Sequence, residues 1–346
     1  MKNHHILYLF ILLALKACIE PYDFEVDQAA NTVIVDAELR DSLSLQKIKL
    51  SYLNELDNQQ FNGVSNARVF VEDDLGNEVQ FFEKEKGVYE AVFGANLDRQ
   101  YKLSINIDKG GTIRSGFESL PPPIQLDSLS FEELQESFVN EDGKNRTLNV
   151  VKAYGETNIS DNEDDLYIRF GNIETVFLFE ERKKVTFPPP KNCFVYNKDV
   201  TPEIGIFNVN ANSKDVKIKS LLFTKPINWE FGTVFSIKAD LISMHRPYYE
   251  YWKEIENVYS QDGNINNPPP AQIRSNLSVE NRPPVIGFFA MTRTSSKVLF
   301  VRKTDLKTSI ILRCGSLSSP FPSPYPDECN ECLLIDGAST TRPDYW

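Results

Sequence analysis

The chain has 346 residues, with 37 Lys and Arg against 49 Asp and Glu for a net charge of -12, and three histidines. That balance excludes nucleic acid and anionic lipid surfaces as natural partners, because phosphate contact needs clustered Lys and Arg. So few histidines, of which only His245 lies beyond residue 5, exclude a multi-histidine zinc centre of the H-E-x-x-H kind in one chain.

Taken in chain order, the sequence opens with Lys2, His4 and His5 and then an apolar run, Ile6 to Leu15. A membrane-spanning helix takes about 20 apolar residues, so this run is too short to span and fits the core of a secretory signal. Ala17 before Cys18 resembles the lipobox of bacterial lipoproteins, with Lys16 standing where that box usually holds a small residue. Residues 1–17 are therefore predicted to be a signal peptide, and Cys18 the acylated first residue of the mature chain, carrying palmitate-type chains. Losing Lys2 and Lys16 with the signal takes the net charge from -12 to -14. Residues 18–30, with Glu20, Asp23, Glu25 and Asp27, read as an acidic tether.

From residue 31 the pattern is β. "NTVIVDAEL" puts Val33, Val35, Ala37 and Leu39 on one face, and "QKIKLSYL" does the same with Ile48, Leu50 and Tyr52. "ARVFVED", "VQFFEKE", "VYEAVF", "YKLSINID" and "TIRSGFE" follow, separated by turn residues such as "DDLGNE", Gly87 and Gly110-Gly111. About seven short strands at even spacing predict a β-sandwich over 31–120, Ig-like or transthyretin-like. Pro121-Pro122-Pro123 suits a stiff linker at 121–125.

A second β-rich domain is expected over 126–346. "IQLDSLSFE", "TLNVVKAYGETNIS", "LYIRFGNIETVFLFE", "VKIKSLLF" and "GTVFSIKADLISM" read as strands, and "VIGFFAMTRTSSKVLFV" as two more. "DNEDD" lacks the glycine and terminal glutamate of an EF-hand loop and reads as a solvated turn. One amphipathic helix stands out in "PYYEYWKEIENVYS", where Tyr248, Trp252, Ile255 and Tyr259 share a face. That stripe is expected to pack on the sheet rather than serve as a sugar platform. His245, beside the helix start, is expected to cap or sit at the surface. Tyr248, Tyr249, Trp252 and Arg274, with the proline-bearing loop "GNINNPPPAQIRSNL", are the candidate partner-binding surface, since interfaces favour Tyr, Trp and Arg.

No catalytic residue, cofactor or metal is assigned: G-x-S-x-G, G-x-G-x-x-G and Walker A signatures do not occur. After Cys18 four cysteines remain, Cys193, Cys314, Cys329 and Cys332. An even number in an exported chain points to disulfides, with three possible pairings. The spacing of Cys329 and Cys332 also suits half a zinc ribbon or a redox motif, but it follows a proline-rich loop. The expected arrangement has both reaching back to Cys193 and Cys314, pinning the tail.

The order of these features resembles a Bacteroidetes lipoprotein family, domain of unknown function 4249. The resemblance rests on the lipobox cysteine, "VIVDAEL", "GVSNARVFVEDDLGNEV" with "GVYEA", the Tyr101-x-Leu103 strand and the triple proline. It continues through "YYEYW", Gly287-x-Phe289 and the tail Cys329, Cys332, Gly337, Pro343, Tyr345 and Trp346. It implies an outer-membrane, cell-surface lipoprotein encoded near TonB-dependent transporters, and an accessory or binding role with such a barrel as partner. An adhesion or scaffold lipoprotein without a small ligand is the alternative. A surface hydrolase working through carboxylates is a third reading, weakened by the lack of a nucleophile motif.

Overall fold

A computed structural model describes residues 32–53, 61–108, 111–139, 143–182, 189–259, 273–279, 285–314 and 326–346. The predicted signal at 1–17, Cys18, the tether at 18–30 and most of the loop at 263–277 lie outside the described residues. The protein is mainly β, as expected, with one α-helix among the described residues.

Strands β1 (Val33–Arg40), β2 (Ser44–Tyr52), β3 (Arg68–Asp73), β4 (Glu78–Glu85), β5 (Val88–Phe93), β6 (Gln100–Ile107) and β7 (Gly111–Ser115) are the seven anticipated. A two-residue strand, β8 (Glu118–Ser119), pairs with β6 in addition. β4 joins two layers, pairing first with β3 and then, from Phe82, with β5. One layer runs β1-β2-β5-β4 and the other β4-β3-β6-β7. Val35, Ala37, Leu39, Ile48 and Leu50 of the first meet Val69, Val71, Leu103 and Ile105 of the second in one core. Each of the Val, Leu and Ile side chains among them contributes about 1.5–3 kcal/mol by leaving water, so alternation drives the two layers face to face. The predicted turn at "DDLGNE" closes on Asp73, whose Oδ1 accepts from the backbone N–H of Leu75 and Asn77.

The second half of the chain forms β9 (Ser128–Val139), β10 (Asn145–Asp161), β11 (Leu166–Glu180), β12 (Asn192–Tyr196), β13 (Gly205–Val209), β14 (Lys214–Pro226) and β15 (Val234–Met244). Helix α1 (Arg246–Tyr259), β16 (Leu277–Val279), β17 (Ile286–Arg302) and β18 (Ala338–Ser339) complete it. β14-β10-β9 is a separate three-stranded sheet. It covers the sheet of β15, β11 and β12, with Val151, Ala153, Leu222 and Phe223 packed on Ile168, Phe177, Phe235, Ile237 and Leu241.

The structure corrects one reading. "VIGFFAMTRTSSKVLFV" is not two strands but the single 17-residue β17. Thr294, Ser295 and Ser296 look like a break, yet they stay in the ladder opposite Ile242, Leu241 and Asp240 of β15. The two serine hydroxyls have partners: Ser295 Oγ accepts from Leu126 N–H at 3.0 Å, and Ser296 donates to Asp240 at 2.6 Å. With no Gly, Pro or Asn to supply a turn, the strand continues and only its neighbour changes.

That change of neighbour joins the two halves. Ile286–Thr292 pair in parallel with Ile34–Arg40 of β1, and Arg293–Arg302 pair antiparallel with β15. β16 adds to β7, so Leu277, Val279, Val285, Phe289 and Met291 pack with the first core although they follow the Pro-rich segment by 150 residues or more in sequence. The parallel contact is close. Gly287 has φ +120°, and a Cβ there would lie 1.9 Å from the Val35 carbonyl oxygen. Only glycine fits that position.

The tail is fixed covalently. Cys332 bonds Cys193 and Cys329 bonds Cys314, closing separations of 139 and 15 residues. Both reach back as expected. Strand β18 pairs with β12, and Trp346 packs edge-on against Phe194 and Phe300 at 5.1 and 5.3 Å.

Candidate functional site

The alternation that buries Val35, Ala37 and Leu39 turns Asp36, Glu38 and Arg40 to the opposite face of β1. That face is not open surface. Helix α1 lies over it, joined to the end of β15 by His245, whose carbonyl accepts the first helical N–H groups, from Tyr248 and Tyr249. His245 thus has the capping role its position suggested. Its ring is half-buried, contacts Ser119 Oγ at 3.1 Å, and burial pulls its pKa down.

Between the helix and the outer face of β1 and β2 is an open cleft of about 510 Å³. Its wall is Tyr248, Tyr251, Trp252 and Ile255; its floor carries Asp36, Glu38, Lys47, Lys49 and Arg169. Arg169 comes from β11, in the other half of the chain. Its Nη2 donates to Glu38 Oε2 at 2.8 Å, with only 9% and 12% of the two side chains exposed. The same oxygen accepts from the Tyr248 hydroxyl at 2.9 Å. The guanidinium also lies 4.0 Å from the centre of the Trp252 ring, a cation–π stack. Gly171 makes room for it: a Cβ there would sit 2.2 Å from Arg169 Nη1.

A second polar group continues this line. Asp240 of β15 meets Arg40 at 3.4 Å and accepts from Asn172 Nδ2 at 3.0 Å as well as from Ser296. Asn172 sits at φ +48° in the irregular pairing of β11 with β15, between Gly171 and Glu174. The irregularity aims its amide at Asp240.

Three groups in the cleft differ from these. Among the described residues, Asp36, Lys49 and the Tyr251 hydroxyl have no hydrogen bond or ion pair, although the Tyr251 ring packs against Tyr248, Trp252 and Phe288. Asp36 is exposed to the cleft on the outer face of β1. Loss of bulk water raises its pKa, Lys49 and Arg169 lower it, and Glu38 raises it. Burial, with Asp36 nearby, pushes the Tyr251 phenol up to about 12. Lys47, by contrast, is held by Glu90 at 2.8 Å.

The residues expected to contact a partner divide. Tyr248 is only 5% exposed and packs against Phe288, so it faces the sheet and is not available for docking. Its phenol is held far above its ordinary value by burial. Tyr249 packs on Tyr167 at 5.0 Å, and Trp252 is half-buried under Arg169. The stripe packs on the sheet, as expected, at its N-terminal end; Tyr259, at its other end, is 70% exposed. Arg274 is exposed but tied to Glu250 and Glu254 of the helix, each at 2.9 Å. Most of the loop grouped with it lies outside the described residues.

The sequence reading missed Asp36, Glu38, Lys49, Arg169 and Tyr251. The available signal was the second face of β1, where Asp36, Glu38 and Arg40 place mixed charges on alternate positions of one strand. No local pattern pointed to Arg169.

A family model described as a domain of unknown function, DUF4249, matches residues 19–298. The chain belongs to the DUF4249 family. The matched stretch runs from before β1 into β17, so it contains every cleft residue named above, whereas both bonded tail cysteines, Cys329 and Cys332, lie beyond it. Comparison with curated proteins gives no match. Among the described residues of this DUF4249 chain, no helix is long and apolar enough to cross a membrane, and no cluster of three or more His, Cys, Asp or Glu could hold a metal.

Proposed function

We propose that this DUF4249 protein is an exported, lipid-anchored accessory protein of the outer membrane. In this reading it works by contact beside a TonB-dependent barrel and holds a ligand in the cleft under α1. The observation that carries the binding role is the cleft itself. Its size falls in the range of small-molecule sites, roughly 300–1,000 Å³, and its floor is set by the Glu38–Arg169–Trp252 stack instead of by mobile surface side chains. Glu38 accepts from both Arg169 and Tyr248 on one oxygen. This makes it a structural anchor rather than a free general base and favours binding over carboxylate catalysis. Ala17-Cys18 and the acidic stretch behind it support the location.

Two measurements test this together. Acylated full-length protein, purified in mild detergent from its own cells, should bring a TonB-dependent barrel with it. The Cys18→Ala variant should leave the detergent phase, because in this reading the acyl chains are the membrane anchor. Detergent partitioning unchanged by that substitution defeats the anchor, and purification free of any barrel defeats the partner.

A further inference from the structure

We propose that the cleft under α1 binds a neutral saccharide, one ring of which presents adjacent hydroxyls to Asp36, Lys49 and Tyr251. The inference rests on taking the cleft as a binding site; it does not depend on the barrel.

The starting point is which groups are free. Most charged or polar side chains in the cleft are already satisfied: Glu38 by Arg169 and Tyr248, Arg40 by Asp240, Lys47 by Glu90. Gln46 donates to Ser42 O and Ser44 Oγ and accepts from Arg40 N–H. Among the described residues, Arg169 Nε and the Trp252 indole N–H are buried without a partner, and the open groups that remain are a carboxylate, an ammonium and a phenol. Asp36 and Lys49 are direct partners in the antiparallel register of β1 and β2, on the same face, where opposed Cβ atoms are roughly 4.5–5.5 Å apart. They nevertheless do not close an ion pair. Tyr251 lines the same cleft from the helix. An acceptor and two donors thus line one cleft, together with Ile34, Ile255 and Phe288.

Charge decides what fits them. An anionic ligand would face Asp36 and Glu38, and a cationic one would face Lys49 and Arg169. A zwitterion could match both signs, but it must give up the hydration of two full charges against a pair that already balances itself. A hydroxyl both donates and accepts. Two neighbouring hydroxyls can give to Asp36 and take from Lys49 with no charge to desolvate. The C–H face of a pyranose then suits the Tyr251 and Ile255 side of the cleft. The aromatic stripe is not the platform here; Tyr248 and Trp252 are taken up by the sheet and by Arg169, and the polar floor selects the ligand.

The test is titration calorimetry with saturation-transfer NMR on the mature chain. The probes are the methyl glycosides and tetrasaccharides of glucose, mannose and galactose, with tetragalacturonate and glycylglycine as charged comparators. At least one neutral sugar should bind in preference to both comparators. Asp36→Asn and Lys49→Met should each weaken it roughly tenfold, the effect of about one hydrogen bond to a charged group. Tyr251→Phe keeps the ring and should weaken it less, and Ser137→Ala, on the far sheet, should change nothing. Circular dichroism melts establish that each variant is folded. The proposal fails if no neutral sugar shows a response that Asp36→Asn, Lys49→Met or Tyr251→Phe reduces, or if glycylglycine or tetragalacturonate binds more tightly. Sugar binding lost while the barrel still co-purifies removes only this ligand assignment. A barrel lost while sugar still binds removes only the partner.

Discussion

The two sandwiches are closed by different means. The first takes β16 and the front half of β17 from 277–292, far downstream, and holds them by hydrogen bonds and packing alone. The second is fastened by two disulfides that draw the tail onto β12 and residue 314. Both solve the problem of joining distant sequence to a finished sheet. The first relies on shape at a single residue, the second on a covalent bond, and they should therefore fail under different insults.

The sharpest way to break the contrast is Gly287→Ala. Its Cβ would collide with the backbone of Val35, and φ +120° is itself unfavourable for any side chain. We expect a loss on the order of 4 kcal/mol or outright failure to fold, read by urea denaturation. A loss below about 1 kcal/mol would mean that the parallel pairing is loose. Next is the covalent side. Removing the Cys193–Cys332 pair by double alanine substitution should cost roughly 3–4 kcal/mol. The Cys314–Cys329 pair encloses a much shorter loop and should cost less. Hydrogen exchange should show that loss in β11, β12 and β15 while the amides of β2 and β5 keep their protection. Equal deprotection of both sandwiches would show that they unfold as one unit.

Arg169→Met tests the bridge between the halves. It leaves Glu38 without its cation in a largely buried site and removes the stack on Trp252. The expected cost is about 2–3 kcal/mol, seen as a lower melting temperature, with Trp252 fluorescence shifted to the red. The smallest effect belongs to Asp36. Its folded pKa is raised, so ionising it opposes folding, and the stability it contributes at low pH is lost as pH rises through the folded value. Asp36→Asn should therefore melt slightly higher than the parent at pH 7, and the gap should close as the pH falls below the usual carboxylate range. A melting temperature lowered at pH 7 would contradict that sign.

The core face of each strand could be read from the sequence because burial imposes a period of two, as at Val35, Ala37 and Leu39. The helix could be read from its stripe, and the presence of disulfides, though not their pairing, from the even number of cysteines. What could not be read depends on neighbours distant in sequence. Short strands such as "NCFVY" and "GIFNV" (β12 and β13) pair with β11 along lengths too brief to show a period. Thr294-Ser295-Ser296 carries turn-like composition, and its ladder with β15 and the serine contacts to Leu126 and Asp240, all distant in sequence, keep it strand. The candidate site was hidden for the same reason. Its charged floor looks like an ordinary solvated strand face until α1 and Arg169 are brought over it, and they come from residues 120 or more positions away.

The direction of β17 has a mechanical consequence. β1 and β17 run parallel, so a pull on the N-terminal end of β1 and an opposing pull through the far end of β17 act along the strands from opposite ends. Such a load slides one strand past the other and strains the hydrogen bonds between them together, instead of peeling them apart one at a time. A chain tethered by its N-terminus and gripped through its second sandwich would carry tension through this parallel ladder, with the Gly287 contact in the stressed stretch.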